Sequence, residues 1–336
     1  MDPTIVEGSE SAEHVTAVGR LMGWPRKLVT HYPTLLLLVA LCVFFSVTTS
    51  IFLTSANLTN LISLQAVTAC VTFAALLPLI VGEFDLSLGY MVGVIAMIGA
   101  YLSGQGWSAL PIIVVMVATG IIVGVINGIL TVRFRISAFI ATLGVGIILS
   151  GFTSAISNGE VLFLGVPKTI VDVGRHNFLG LGISAWLVIV IAILLVYVLE
   201  HTPAGRWLYA TGGSEPVAYL AGVRTGRMKI LAFVGAGVLV AIASVFQLGE
   251  TGSATPSFGP ELLLPAYAGA FLSVVAYRPG YFNVPGAIIA VLLLAVGFNG
   301  LSLLGVPFWG QPLFDGSVLL LAVLGARAES RHVKVG

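Results

Sequence analysis

The 336-residue chain is 58% hydrophobic and 9% charged, with 15 Lys+Arg against 14 Asp+Glu and a formal net charge of +1. Soluble domains carry about 25% charged residues, and a chain of this length cannot enclose so much apolar surface in one core, so a water-soluble globule is excluded in favour of helices solvated by lipid. The near-neutral balance excludes a nucleic-acid binder recruited by bulk charge. Cys42 and Cys70 both lie inside apolar runs, which leaves neither a disulfide scaffold nor a cysteine metal cage.

Residues 1–32 are polar and lead into an apolar run longer than the roughly 7 to 15 residues of a signal-peptide core, so the N-terminal segment is expected to be retained. A helix rises 1.5 Å per residue, so about 20 apolar residues cross the hydrocarbon layer. The runs that qualify are 33–53, 61–82, 86–102, 109–132, 138–157, 183–199, 230–248, 262–277, 284–304 and 313–325. The sequence therefore predicts an all-α polytopic membrane protein of about ten transmembrane helices. The third, eighth and tenth are short enough to suggest tilted or broken helices.

Lys and Arg accumulate on the cytoplasmic side of membrane proteins. With the N-terminus inside, the inner side receives Arg20, Arg26, Lys27, Arg133, Arg135, Arg206, Arg224, Arg227, Lys229, Arg278, Arg327, Arg331 and Lys334, and the outer side only Lys168 and Arg175. Both termini are then cytoplasmic. The chain divides into a cytoplasmic N-terminal segment 1–32, a transmembrane domain 33–325 and a cytoplasmic tail 326–336. Its longest loops are an outer one, 158–182, and an inner one, 200–229. The pattern apolar-Asn-Gly-apolar occurs at Ile126-Asn127-Gly128-Ile129 and again at Phe298-Asn299-Gly300-Leu301, 172 residues later. That offset is near half the chain, so either the domain is a five-plus-five repeat with an inverted second half or the match is fortuitous.

Between the second and third spans stands Gly82-Glu83-Phe84-Asp85-Leu86-Ser87-Leu88-Gly89. Carboxylates are costly at membrane depth, by about 2.5 to 3.5 kcal/mol for Asp at a helix centre, and are retained for a use. Two uses are open. Asp85 can cap the third span by accepting from the N–H groups of Ser87 and Leu88, or Glu83, Asp85 and Ser87 can take part in solute passage or gating. Within the spans, Gln65, Asn127, Thr142, Gln247 and Asn299 either line a passage for a neutral solute or hydrogen-bond between helices. Gly89 and Gly93, and Gly120, Gly124 and Gly128, recur every fourth residue and leave smooth stripes for close helix packing.

No enzyme signature is present. There is no H-E-x-x-H or Gly-x-Ser-x-Gly. His14, His31, His176, His201 and His332 fall outside the spans, and no lysine follows a glycine as a P-loop requires. If ATP drives this protein, another chain hydrolyses it.

The inner loop carries the clearest local signals. Ser214 suits an N-cap, Glu215 the positive helix end, Pro216 a first turn, and Gly222 a left-handed stop. They delimit a helix over 215–221, about 10 Å long. Its apolar side chains Val217, Ala218, Leu220 and Ala221 must be covered either by lipid headgroups or by a soluble partner.

At this point the sequence resembles the membrane permeases of ribose/galactoside-type bacterial ABC importers. The 82–89 segment is similar to that family's Gly-Gly-Ile-Asp-Leu-Ser-Val-Gly, and Phe139-Ile140-Ala141-Thr142-Leu143-Gly144 matches its Phe-Ile-Ala-Thr-Leu-Gly. Residues 205–213 with 215–222 resemble its cytoplasmic coupling loop, and Asn299-Gly300-Leu301 completes the order. The similarity runs over about 57–323. Glu83 replaces the motif's second glycine and Val217 the first alanine of the coupling loop's Ala-Ala pair. Ser273-Val274-Val275-Ala276 and Pro279-Gly280-Tyr281-Phe282 depart from the family's glycine-rich runs, which leaves the sugar open.

The resemblance implies a permease of the bacterial inner membrane that carries a sugar or polyol. It implies a second permease copy or a homologous permease, a periplasmic solute-binding protein at the outer loops, and a cytoplasmic ABC ATPase on Glu215, Pro216, Val217, Ala218, Leu220, Ala221 and Gly222. No cofactor would be bound by the chain itself, since ATP and Mg would be used by the ATPase. Branched-chain amino-acid permeases, distant relatives faintly resembled at Gly99-Ala100-Tyr101-Leu102, are the alternative for substrate. An ion-coupled secondary transporter built around Glu83 and Asp85 is the alternative from another class.

Overall fold

The computed structural model describes residues 33–163, 165–307 and 309–333, with 33 and 322–333 as backbone only. The expected N-terminal segment 1–32 and residues 334–336 of the expected tail lie outside the described residues. Among the described residues the architecture is all-α apart from one hairpin of two-residue strands. In order the helices are α1 (Pro33–Thr48), α2 (Ser55–Ile80), α3 (Leu88–Gly104), α4 (Ala109–Val132), α5 (Ala138–Ser157) and α6 (Lys168–Arg175). The hairpin β1 (Asn177–Phe178) and β2 (Leu181–Gly182) follows, with Asn177 opposite Gly182. Then come α7 (Ile183–Val196), α8 (Pro203–Gly213), α9 (Glu215–Leu220), α10 (Thr225–Thr251), α11 (Leu263–Ala276), α12 (Val284–Leu303) and α13 (Gly310–Val333).

Six of the expected spans coincide with helices long and apolar enough to cross a membrane: α2, α4, α5, α7 with its π-helical extension to His201, α10 and α12. The first, third and eighth fall on the shorter apolar helices α1, α3 and α11. The tenth corrects the expectation of a short segment, because α13 begins before residue 313 and continues through Val333. It also carries helix into the stretch expected to be a tail. Local sequence accounts for several starts. Thr54 accepts from the Asn57 N–H at the head of α2, and Asn283 accepts from the Gly286 N–H (2.7 Å) at the head of α12.

Burial sorts the bundle. The membrane-length windows of α2 and α10 are 72% and 61% buried, whereas those of α4, α5 and α7 are 28%, 33% and 22% buried. α2, α3 and α10 thus form the centre, and the outer helices turn side chains such as Leu110, Ile140 and Ile193 outward, as lipid-facing surface requires. The glycine stripes do what their spacing implies. A Cβ at Gly120 or Gly124 would collide with the backbone carbonyl of Gly237 or Phe233 on α10, so α4 lies on α10 backbone to backbone.

The two ends of the bundle are distinct. At one end the expected outer loops meet: Leu162 bridges Ala254, and Arg175 donates to the carbonyls of Glu250 (2.7 Å) and Thr251 (2.9 Å) at the C-terminus of α10. At the other end the segments after α2, α4 and α7 gather around the start of α10. The two Asn-Gly pairs sit towards opposite ends, Asn127 near the second group and Asn299 bonded to Asn57 near the first.

Candidate functional site

The 82–87 segment is short and sharply turned. Gly82 has φ +82°, a left-handed conformation that costs glycine nothing, and it lets the chain leave α2 and run inward. Asp85 and Ser87 are fully buried. Ser87 donates its backbone N–H (2.9 Å) and its hydroxyl (2.5 Å) to Asp85 Oδ1. Asn127 of α4 donates to Ser87 Oγ (2.8 Å) and, at 3.4 Å, to both carboxylate oxygens. Thr142 of α5 accepts from the Leu86 N–H (2.9 Å) while donating to the Ala138 carbonyl (2.7 Å). Tyr267 of α11 closes the cluster: its hydroxyl accepts from the Asp85 N–H (3.0 Å) and donates to the Asp85 carbonyl (2.9 Å).

Four of the sequence candidates, Asp85, Ser87, Asn127 and Thr142, therefore share one buried polar knot that joins α3, α4, α5 and α11. The capping expectation for Asp85 is met at Ser87 and corrected at Leu88. Helix α3 starts at Leu88 behind a helical Ser87, and the carboxylate turns to Asn127 instead. Tyr267 had no signal in the sequence, because the tyrosine sits 182 residues from Asp85. Burying a carboxylate requires such full satisfaction, since an unpaired buried charge is far more costly than any one of these bonds.

The remaining candidates lie elsewhere. Asn299 exchanges two amide hydrogen bonds with Asn57 of α2, both 3.0 Å, which is the interhelical role. Gln247 lines a small cavity of about 200 Å³ with Gly93, Thr251, Ser253, Thr255 and Phe258. Glu83 pairs with Lys229 Nζ at 2.7 Å, and the same ammonium holds Glu215 Oε2 at 2.8 Å. Gln65 opens, with Thr68, Glu261, Gln311, Asp315 and Phe258, into a cavity of about 590 Å³ at the end where the outer loops meet. Of these, Glu261 lies in the turn before α11, and Gln311 and Asp315 lie in the first turns of α13; none is marked as a candidate by its sequence context.

The inner loop folds as two helices rather than one. α8, in the part of the inner loop to which no element is assigned from the sequence, is capped by Thr202, whose hydroxyl accepts from the Gly205 N–H (3.4 Å). Tyr209 of α8 donates to the Phe282 carbonyl (2.7 Å). Burial and then the Glu200 carboxylate push its hydroxyl up to about 12, so it stays protonated and remains a donor. α9 covers Glu215–Leu220, with Pro216 in its first turn, Ala221 just past its end and Gly222 at φ +86° as the left-handed stop. Ser214 precedes it but makes no capping bond through its side chain. Val217, Tyr219 and Leu220 are 65%, 70% and 85% exposed, whereas Ala218 is buried. The expected apolar face is thereby corrected: Ala218 seats α9 on its own chain, and Val217, Leu220 and the unforeseen Tyr219 point away from it.

Residues 34–323 match the family described as the branched-chain amino acid transport system permease component. The chain belongs to this permease family. The permease is 30% identical over 295 residues to the ribose import permease protein RbsC of Escherichia coli (strain K12), covering 85% of this chain and 91% of that protein. It is 28% identical over 316 residues to the L-arabinose ABC transporter permease protein AraH of Azospirillum brasilense, covering 94% and 93%. It is also 29% identical over 286 residues to the autoinducer 2 import system permease protein LsrC of Salmonella typhi, covering 85% and 82%. No solved structure matches the chain. The permease is thus a multi-pass membrane protein homologous to transport permeases, which are not enzymes.

Proposed function

We propose that the permease is the membrane-spanning subunit of an ABC importer for a sugar or polyol. Its relatives name ribose, L-arabinose and autoinducer 2. The single observation that carries the partner-driven reading is α9, a two-turn helix outside every apolar span whose Val217, Tyr219 and Leu220 are large apolar side chains that its own chain leaves exposed. A helix of six residues is not stable by propensity alone, so seating on one face and cover on the other are both required. A cytoplasmic ABC ATPase supplies that cover and the energy. ATP and Mg belong to it, and the permease binds no cofactor.

In this reading the chain makes ten crossings with both termini cytoplasmic, residues 33–325 form the transport domain, and a second permease copy completes the pathway. A periplasmic binding protein delivers solute to the outer loops. The 590 Å³ cavity there has the amide, hydroxyl and carboxylate groups that hydroxyl-rich solutes need. The Asp85 knot, at the far end of the bundle, serves as the inner gate. ATP binding draws the ATPases together, moves α9, and opens or closes that end.

Reconstitution tests the whole scheme. Uptake of labelled sugar into liposomes should require ATPase and binding protein together. Uptake driven by a proton or sodium gradient, with both absent, overturns it in favour of an ion-coupled transporter.

A further inference from the structure

We infer that Lys229 is the coupling residue of this permease, a single ammonium that ties the docking helix α9 to the loop carrying Asp85. The inference rests on α9 being the ATPase contact. Lys229 Nζ lies 2.7 Å from Glu83 Oε1 and 2.8 Å from Glu215 Oε2, so carboxylates 132 positions apart in the chain share one cation. The Lys229 and Glu83 side chains are only 15% and 18% exposed, which shelters that arm from the screening that makes ordinary surface pairs worth little. Glu215, at 47%, is the more open arm.

Each carboxylate sits where movement matters. Glu215 is the first residue of α9. Glu83 is two residues from Asp85, the backbone N–H groups of Asp85 and Leu86 are bonded to Tyr267 and Thr142, and the Ser87 hydroxyl to Asn127, on three other helices. A displacement of α9 that carries Glu215 drags Lys229 and Glu83, and Glu83 is attached to the knot. A second contact works in the opposite sense. Gly212 of α8 lies so close to the end of α2 that a Cβ there would collide with the Ile80 carbonyl, with the Val81 backbone next, and a Cβ at Gly82 would in turn lie 3.9 Å from Gly212. The α8–α9 unit therefore pushes on the Ile80–Gly82 backbone through Gly212 and pulls on the same loop through Lys229. Without the ammonium, Glu83 and Glu215 would face each other as like charges, and only the push would remain. Glu83 stands where the resembled motif has glycine, so this tie belongs to the present chain rather than to the motif.

The test uses the complete importer in proteoliposomes with three readouts: co-purification of the ATPase, ATP hydrolysis stimulated by loaded binding protein, and sugar imported per ATP hydrolysed. Lys229→Met should leave ATPase association within about twofold of wild type, because Val217, Tyr219 and Leu220 are untouched, while sugar imported per ATP falls at least tenfold. Glu83→Gln takes the charge from the loop arm, leaving at most one neutral hydrogen bond to the ammonium, and keeps the Glu215–Lys229 pair, so it should uncouple in the same direction with docking fully intact. It also guards against a folding defect in the lysine variant. The triple inversion Glu83→Lys, Glu215→Lys, Lys229→Glu recreates both pairs with opposite sign and should recover import per ATP. Wild-type coupling in Glu83→Gln, or loss of ATPase association in both single variants, overturns the inference. A wild-type permease that does not bind the ATPase at all overturns the proposed function instead, and the two failures are thereby distinguished.

Discussion

Leu220 offers the sharpest test of the docking surface. It is the most exposed large apolar side chain of the inner loop, at 85%, so nearly all of its surface is available to a partner and almost none supports the permease fold. Covering a leucine side chain fully is worth about 1.5 to 3 kcal/mol, and truncation to alanine keeps only the Cβ. Leu220→Ala should therefore weaken ATPase binding by about 2 kcal/mol, or roughly 30-fold in Kd, without lowering the thermal stability of the isolated permease. The assay is a binding titration of labelled ATPase against permease in nanodiscs, paired with a melting curve of the permease alone. Val217→Ala should cost less, because Val217 is smaller and 65% exposed. Ala218→Arg is a different perturbation: the buried Ala218 has no room for a guanidinium, so it should unseat α9 and lower stability as well as binding. An unchanged Kd for Leu220→Ala, within twofold, would refute the reasoning.

Three further expectations follow from the same geometry. Asp85→Ala should destabilise the permease by about 3 kcal/mol or more, because it strands the donors of Ser87 and Asn127, whereas Asp85→Asn should cost clearly less, since Asn127 Oδ1 is unpartnered and a rotated Asn127 amide can accept from the new one; melting curves in detergent check the order, and equal losses would contradict it. Gly120→Ala should force α4 away from α10 and cost about 1 to 3 kcal/mol of stability by the same measurement, while Gly144→Ala, with open space around its Cβ, should cost little. The hydrogen bond from Lys229 holds the Glu215 carboxyl below its usual 4.5. A depressed pKa adds stability that is fully present above the unfolded value and disappears as pH falls through the folded one, so the stability difference between wild type and Glu215→Gln should be flat from about pH 6 to 8 and shrink only below about 4.5.

Much of this protein was legible in the sequence because its solvent is lipid. Composition demanded helices, apolar run length marked where they lie, and four-residue glycine spacing named the faces on which α3 and α4 pack closely. Capping chemistry is equally local, so Pro216 and Gly222 bracketed α9 correctly. Local signals failed where satisfaction came from afar. Ser214 reads as a cap and makes no capping bond, Ala218 reads as part of a docking face and is buried, and α8, which starts at the local signals Thr202 and Pro203, lies outside every apolar run and so carries no run-length signal.

Among the polar residues inside the spans the sequence could name candidates but not sort them. Asn127 and Asn299 stand in the same four-residue pattern, yet one helps hold a buried carboxylate and the other pairs with Asn57. Which partner an amide finds is a matter of which helices touch, and that is decided by packing across the whole bundle rather than by neighbours in the chain. The same holds for charge. In the sequence Glu83 and Glu215 stand out for unrelated reasons and Lys229 only as one more inner-loop cation, and only the tertiary structure brings the two carboxylates onto one ammonium, because electrostatic and hydrogen-bond energies depend on distances in space that chain separation does not encode.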